Sequence, residues 1–248
     1  MTNEKYKQYN HPLMKEKIIS QIETLVSNYL NRSWKVKSWK DLNYYASHPC
    51  AILSDKDYSV FVKLSKASNA RDQFECEVDD LEVIRDLSEV KTPFTIGVIN
   101  LESYSLLVLE AVEEVKRDSY HWRDIGRSLA KLHKIKSDDF GFKRHGYFGP
   151  LYLDNRPMKD WPTFYAERRI LPYLKMAVDS GNLPEKMISK VEKLVTKLPE
   201  ICGPEVEPSL LHGDAQQNNY ISTEEETFFI DFYVTNFTYC FFWNFAGS

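Results

Sequence analysis

Apolar residues in the first 110 positions follow two different spacings. Between residues 14 and 30 they recur every three or four positions, and they do so again between residues 70 and 87, which is typical of helices with one face in a core. Residues 51–64 carry the β-type runs "AILS" and "YSVFVKL" on either side of the turn-forming "DKD", and "FTIGVINL" and "YSLLVLEAV" follow as a second pair. We therefore expect a small antiparallel sheet with one inserted helix and a leading helix.

Beyond residue 111 the pattern becomes mainly helical. The segments "HWRDIGRSLAKLHKI", "DWPTFYAERRILPYLKMAVDSG" and "PEKMISKVEKLVTKL" each predict a helix. In the second of these, Asp160 is placed to cap the start, Gly181 to end the helix, and Pro172 to kink or break it. Short strands are expected around Leu210 and Phe229. The sequence thus predicts an α+β chain with a β-rich lobe at residues 1–110 and a helical lobe at residues 111–248.

Composition and charge narrow the classes of function. A net charge of −4, a pI near 5.9 and the lack of a long basic run argue against a nucleic-acid partner. The sequence contains no apolar run of about eighteen residues, so no membrane span is predicted. The polar start lacks the apolar core of a signal peptide. The four cysteines are scattered rather than paired as CxxC, which favours reduced thiols in the cytoplasm.

One short stretch gathers the residue types needed for phosphoryl transfer. "LLHGDAQQNNYIS" contains Asp214 and Asn219, and the apolar run "FFIDF" then brings Asp231. Phosphoryl transfer needs a carboxylate to orient a hydroxyl and oxygen ligands that hold Mg²⁺ against the phosphates. Asp and Asn are also common in turns, so an isolated HGD match carries little weight. The full spacing, downstream of a β-rich lobe, favours the catalytic interpretation.

A lysine in the predicted sheet supplies a candidate phosphate ligand. Lys63 interrupts the apolar strand "SVFVKL"; the usual alternative is a lysine on the exposed face of a strand. A strand lysine reaches phosphates best when a carboxylate steadies it. On the following helix we prefer Glu77 to Glu75. The apolar stripe of Phe74, Val78 and Leu81 flanks Glu77 on the side that faces the lobe.

Taken together, these segments resemble a known family. "FVKL", "LLVLEAV", "LAKLH", "FGPLYLDNRPMKDWPTFYAERRILP", "LLHGDAQQNN" and "FFID" are similar to the fructosamine (ketosamine) kinase family, within the aminoglycoside phosphotransferase/choline-kinase branch of the protein-kinase-like fold. The resemblance covers residues 33–231. It implies a bilobal fold with a small antiparallel β-sheet N-lobe and a mainly helical C-lobe that is truncated relative to the family.

The resemblance also implies an activity and a set of roles. The activity is ATP-dependent phosphorylation of a sugar hydroxyl on ketosamines, as small molecules or as glycated proteins, in a deglycation repair role. Asp214 would be the catalytic base, while Asn219 and Asp231 would hold Mg²⁺.

The N-lobe residues would bind the nucleotide. Lys63 would bind phosphate and Glu77 would pair with Lys63, while the backbone at Glu110 and Ala111 would meet the adenine. His212 would support the catalytic loop rather than titrate during catalysis.

The sequence departs from the family pattern at two places, and these departures leave other functions open. No glycine occurs between residues 42 and 53, where family members carry glycines in the loop over the phosphates, and the chain ends in an uncharged aromatic run after Asp231. The run is expected either to be a truncation or frameshift product or to bury its rings within the chain or in a homodimer. The alternative functions are a noncatalytic nucleotide-binding or interaction protein and an aminoglycoside or amino-sugar phosphotransferase.

Overall fold

The structure, a computed structural model, describes residues 11–43, 48–202, 207–232 and 237–238. The chain forms two compact units. The first comprises Met1–Glu82, Lys91–Arg117 and Tyr220–Ile230, and the second comprises Val83–Val90, Asp118–Asn219 and Asp231–Ser248. The lobe boundary at residues 110–111 stays a prediction.

The first unit contains a five-stranded antiparallel sheet in the order β1-β2-β3-β5-β4. Its strands are β1 (Ser38–Asp41), β2 (Cys50–Ser54), β3 (Ser59–Ser65), β4 (Thr95–Leu101) and β5 (Tyr104–Glu110). Both predicted strand pairs form. The edge strand β1 was not predicted, because "SWKD" is mostly exposed and carries no alternating apolar pattern.

Residues of β3 alternate between the two faces of this sheet. Val60, Val62 and Leu64 belong to the core that helix α1 (Glu16–Leu30) covers with the buried side chains of Ile18, Ile22 and Val26. Because successive strand residues point to opposite faces, Lys63 lies on the other face. Helix α2 (Ala70–Leu87) follows β3 and buries Phe74, Leu81 and Ile84, while Leu87 at its end is exposed.

A buried carboxylate holds the turn between β2 and β3. Asp55 Oδ2 lies 2.6 Å from Arg32 Nη1, and Asp55 Oδ1 accepts hydrogen bonds from the N–H groups of Asp57 and Tyr58 at 3.0 and 2.8 Å. Burial raises the pKa of Asp55, but the hydrogen bonds from Arg32, Tyr58 and Asp57 outweigh it, so the net pKa lies below the usual value. The charged form of Asp55 therefore stabilises this turn.

Two further strands near the carboxyl end belong to the first unit. They are β9 (Tyr220–Ser222) and β10 (Thr227–Phe229), paired as an antiparallel hairpin. The N–H of Phe229 donates to Lys91 O at 2.8 Å, and the N–H of Val115 donates to Ser222 O at 2.8 Å. The hairpin is thus tied to the segments on either side of β4 and β5.

The second unit is mainly helical. Its helices are α3 (Ser119–His133), α4 (Trp161–Tyr165), a π-helix (Ala166–Ile170), α5 (Leu171–Asp179), α6 (Ile188–Thr196) and α7 (Leu198–Ile201), and its strands are β6 (Gly146–Phe148), β7 (Leu151–Leu153), β8 (Ser209–Leu210) and β11 (Phe237–Thr238). Strands β6 and β7 form one antiparallel pair, and β8 and β11 form another.

The boundaries that Asp160 and Gly181 predict for the α4–α5 segment are confirmed. Asp160 Oδ2 accepts from the N–H of Thr163 at 2.8 Å, and Gly181 has a left-handed φ of 72° after α5. Pro172 lies in the first turn of α5, directly after the π-helix, so the hydrogen-bonding pattern of the helix changes where the proline predicts a kink or break. Helical residues nevertheless continue from Trp161 to Asp179, so the helical segment does not break there.

Among the described residues, no helix is both long and apolar enough to cross a membrane. The aromatic run begins at Phe232, which is described and buried. Residues 233–236 and 239–248 lie outside the described residues, and β11 is described only by its backbone. The expectations that concern its rings, including the homodimer, therefore stay predictions.

Candidate active site

Strand β3 and helix α2 bring a lysine and a glutamate together in the first unit. Lys63 Nζ lies 2.7 Å from Glu77 Oε1, and the two side chains are only 10% and 18% exposed. Charged groups so far from water are stable only when paired, which this ion pair achieves. The pairing is the one that helix periodicity favours, since Glu77 lies between the buried Phe74 and Leu81.

Glu75, the other candidate partner of Lys63, pairs with a different residue. Glu75 Oε1 accepts a hydrogen bond from Arg71 Nε at 2.8 Å, and these side chains are 40% and 69% exposed. The Glu75 pair is thus a surface pair between residues one turn apart on α2, whereas the Lys63–Glu77 pair joins two elements.

The predicted hinge residues lie at the end of β5. The N–H of Glu110 donates to Phe94 O at 2.9 Å, and the N–H of Ala111 donates to Ser59 O at 3.1 Å. Both N–H groups are therefore engaged within the first unit. Any adenine contact at these two residues would use their carbonyl groups.

The loop after β8 holds Asp214 in a local hydrogen-bonded turn within the second unit. Asn219 Nδ2 donates to both Asp214 O and Asp214 Oδ2, each at 2.9 Å, and the N–H of Asp214 donates to His212 Nδ1 at 3.3 Å. Asn219 is buried while Asp214 is half-exposed. The structure thus brings together the predicted base and one predicted metal ligand.

Gln216 is a third member of this loop, and the sequence pattern does not predict it. Its Nε2 donates to Asp214 Oδ2 at 2.8 Å. The Oδ2 atom therefore accepts from two amides, and neither of these hydrogen bonds uses Oδ1. An exposed glutamine between two turn residues carries no distinctive sequence signal, because turns are commonly polar.

Asp231 follows β10 with a left-handed φ of 51°, a conformation that Asp adopts more readily than most residues. The next residue, Phe232, is buried and places its ring 4.3 Å from that of His212. Because His212 precedes Asp214 by two residues, this ring contact ties the segment that carries Asp231 to the loop that carries Asp214. It also supports the interpretation of His212 as a structural residue.

The donor groups of this loop fit a hard cation. Asp214 O and Asp214 Oδ2 both accept from the amide nitrogen of Asn219. These two hydrogen bonds fix the orientation of the amide and do not involve Asn219 Oδ1. Amide and carboxylate oxygens are the ligands that Mg²⁺ prefers. Asn219 Oδ1 and the Asp231 carboxylate are therefore chemically suited to hold Mg²⁺.

Two residues of the long family-like segment have internal partners. Trp161 stacks on Phe164 and Tyr165 with ring centroids 5.7 and 5.2 Å apart. Arg168 Nε lies 3.5 Å from Asp154 Oδ2. Trp161 thus packs inside the second unit, and Arg168 forms an ion pair there. These contacts favour a structural role for both residues over contact with a ligand.

The fold and the two clusters define a class of protein. A strand lysine paired with a helix glutamate in an antiparallel sheet, together with an HGD-loop aspartate bonded to a downstream asparagine, is the arrangement of kinase-like phosphotransferases. The chain belongs to the fructosamine kinase family, whose model matches residues 18–235.

Proteins that are similar to this chain in sequence are named as kinases. A protein named as a probable ketoamine kinase of Pasteurella multocida is 28% identical over 215 residues, which is 85% of this chain and 72% of that protein. The ketosamine-3-kinase of Mus musculus is 29% identical in an alignment of 187 residues that covers 64% of this chain and 60% of the mouse protein. The chain thus spans less than two thirds of the length of the mouse relative.

Solved structures agree on the fold. A protein provisionally assigned as a fructosamine-3-kinase from Thermobifida fusca matches with a TM-score of 0.73 at 25% identity, over 89% of this chain and 75% of its own. An aminoglycoside phosphotransferase, solved with AMP-PNP and hygromycin B, matches with a TM-score of 0.56 at 11% identity, over 88% of this chain and 72% of its own. The predicted α+β, protein-kinase-like fold is confirmed.

Proposed function

We propose that this protein is an ATP- and Mg²⁺-dependent kinase that phosphorylates a sugar hydroxyl of ketosamines. The observation that carries the proposal is the Asp214 carboxylate, whose Oδ2 is fixed by Asn219 and Gln216 in a half-exposed loop. A carboxylate held in this way is oriented for proton acceptance by its other oxygen. Family membership supports the acceptor class.

Asp214 acts as the general base. The hydroxyl of the sugar donates its proton to Asp214 Oδ1 as the hydroxyl oxygen forms a bond to the γ-phosphorus of ATP. The bond between that phosphorus and the bridging oxygen breaks, and ADP leaves with the electron pair. Asn219 and Gln216 keep the carboxylate in place throughout, since both donate to the oxygen that does not take the proton.

The first unit supplies the nucleotide contacts. Lys63 neutralises phosphate charge, and Glu77 limits the positions that the lysine side chain adopts. Because the N–H groups of Glu110 and Ala111 are engaged, the carbonyl groups of these residues accept from the amino group of adenine.

Mg²⁺ offsets negative charge on the phosphates when it is bound. Asn219 Oδ1 and the carboxylate of Asp231 would hold it. Asn219 would therefore have two roles, since its amide nitrogen donates to Asp214 and its amide oxygen would bind the ion.

Ketosamines on small molecules and on glycated proteins both belong to the proposed acceptor class, and phosphorylation of either would serve deglycation. The two alternative functions are not favoured: the family match supports a catalyst, and the aminoglycoside phosphotransferases support only the fold, at 11% identity. We place the reaction in the cytoplasm, where ATP is available.

The test is direct. Purified protein is incubated with Mg²⁺-ATP and a fructosamine or ribulosamine, and mass spectrometry follows the acceptor. The expected product carries one added phosphate, and Asp214→Asn should not form it above background. A folded wild-type protein that forms no phosphorylated product on any ketosamine tested would overturn the proposal.

A further inference from the structure

The connection between β1 and β2 contains no glycine, and the structure indicates what shapes its base instead. We infer that Asn43 is a positioning residue for nucleotide binding, which acts by fixing the start of β2 directly opposite Lys63. This inference rests on the proposed function, since it takes Lys63 as the phosphate ligand.

The side chain of Asn43 takes a place in the sheet ladder that a backbone carbonyl would otherwise fill. The N–H of Leu42 donates to Cys50 O at 3.1 Å, and the N–H of Cys50 donates in return to Asn43 Oδ1 at 2.8 Å. The β1–β2 pairing is thus extended by one step beyond the partners Asp41 and Ala51. Cys50 is only 1% exposed, so its N–H needs a protein acceptor.

Asn43 is itself held from the strand before it. Its N–H donates to Asp41 Oδ1 at 2.8 Å, which forms an Asx turn. The same carboxylate oxygen lies 3.4 Å from Nε2 of the buried His11. The amide oxygen of Asn43 is therefore presented to Cys50 by this Asx turn.

The start of β2 is also held from the side of β3. The N–H of Leu64 donates to Pro49 O at 2.9 Å, and Cys50 is the direct cross-strand partner of Lys63. Opposed residues of an antiparallel pair share one face and have neighbouring Cβ atoms. The backbone that Asn43 fixes is therefore the backbone that lies beside the Lys63 side chain.

This arrangement gives the chain a substitute for glycine. Glycine helps phosphate binding by letting backbone N–H groups approach closely, whereas a segment already fixed in position lowers the entropy cost of binding. Loss of the Asn43 amide oxygen would remove the acceptor of the Cys50 N–H and loosen the start of β2 beside Lys63, while the hydrogen bonds to Cys50 O and Pro49 O stay in place. We expect weaker nucleotide binding, with the chemical step itself little changed.

The first test measures Mg²⁺-ATP binding by isothermal titration calorimetry. Asn43→Ala should raise Kd about five- to tenfold, the size expected for one hydrogen bond to a buried N–H. In steady-state kinetics it should raise KM for ATP by a similar factor and change kcat by less than about twofold. The matched control is Asn100→Ala, which removes a side-chain hydrogen bond to Ser105 at 2.9 Å in the same sheet and should leave Kd unchanged.

The second test follows the Cys50 amide by hydrogen exchange without nucleotide. Exchange should quicken in Asn43→Ala and stay slow in Asn43→Asp, which keeps an acceptor oxygen. Unchanged exchange in Asn43→Ala would overturn the inference, and so would quickened exchange with wild-type Kd for Mg²⁺-ATP. Wild-type protein that binds no Mg²⁺-ATP would instead overturn the proposed function, so the two failures are distinguishable.

Discussion

The two clusters of site residues are built in opposite ways. Lys63 and Glu77 come from a strand and a helix, are nearly buried, and meet because β3 and α2 pack together. Asp214, Gln216 and Asn219 lie within six positions of one another, and hydrogen bonds inside a single loop fix them.

This difference predicts different consequences of substitution. A change in the Lys63–Glu77 pair alters a buried ion pair and so affects both stability and function. A change in the Asp214 loop removes local hydrogen bonds near the surface and so affects function with little loss of stability. The following variants test this contrast, beginning with the largest expected effect.

Replacing the proposed base should abolish most activity and leave the fold intact. Asp214→Asn should lower kcat by about 10²- to 10⁴-fold, the usual contribution of a general base. The asparagine side chain can still accept from Asn219 and Gln216, so the melting temperature should stay within about 2 °C of wild type. Kinetics and thermal unfolding on the same preparation check both expectations. A large drop in melting temperature would contradict the local character of the loop.

Breaking the buried pair should cost stability as well as activity. Lys63→Met should lower the free energy of unfolding by about 2–4 kcal/mol, because Glu77 then loses the ammonium group in a poorly solvated place. Urea denaturation measures this cost. The double variant Lys63→Met/Glu77→Leu should recover part of the stability but no activity.

The exposed pair on the same helix provides a matched control. Arg71→Ala removes the partner of Glu75 and should leave the denaturation midpoint almost unchanged, because both side chains are largely solvated. If Arg71→Ala and Lys63→Met destabilised the protein equally, the distinction between the two pairs would be wrong.

Gln216 should have a smaller effect that is confined to catalysis. Gln216→Ala removes one hydrogen bond to Asp214 Oδ2 and should lower kcat about three- to tenfold, with KM for ATP unchanged. Asn218→Ala, at an exposed position of the same loop, is the control and should retain wild-type kcat. An equal loss of kcat in both variants would indicate general disturbance of the loop rather than positioning of Asp214.

Acid pH should weaken the first unit through Asp55. Its pKa is lower in the folded protein than in the unfolded chain, so its charged form contributes stability at neutral pH. That contribution should begin to disappear as pH falls below the ordinary value of 3.8 and vanish below the folded pKa. Melting temperatures at decreasing pH should therefore fall less steeply in Asp55→Asn than in wild type. Parallel curves for the two proteins would refute this role.

The sequence predicted those features that depend on nearby residues. Apolar alternation located the strands on either side of the "DKD" turn, and the helical period selected Glu77 over Glu75. Asp160, Pro172 and Gly181 marked the boundaries of the α4–α5 segment because their effects on the backbone are local.

Features that depend on tertiary contacts were not predictable from the pattern. The Asn43–Cys50 hydrogen bond links a residue that follows β1 to the start of β2, and β1 has no apolar alternation. Trp122 shares a helical spacing with Ile125 and Leu132, which predicts a common apolar face for α3, yet Trp122 is 48% exposed. The β9–β10 hairpin lies among residues assigned to the helical lobe, but it packs within the first compact unit.

The central claim is that this chain transfers phosphate from ATP to a ketosamine with Asp214 as base. The most direct measurement is ³¹P NMR of a reaction that contains wild-type protein, Mg²⁺-ATP and a fructosamine. The account predicts a new sugar-phosphate signal that grows in step with ADP and is missing with Asp214→Asn. ADP formation without that signal, or an equal signal from the Asp214→Asn protein, would contradict it.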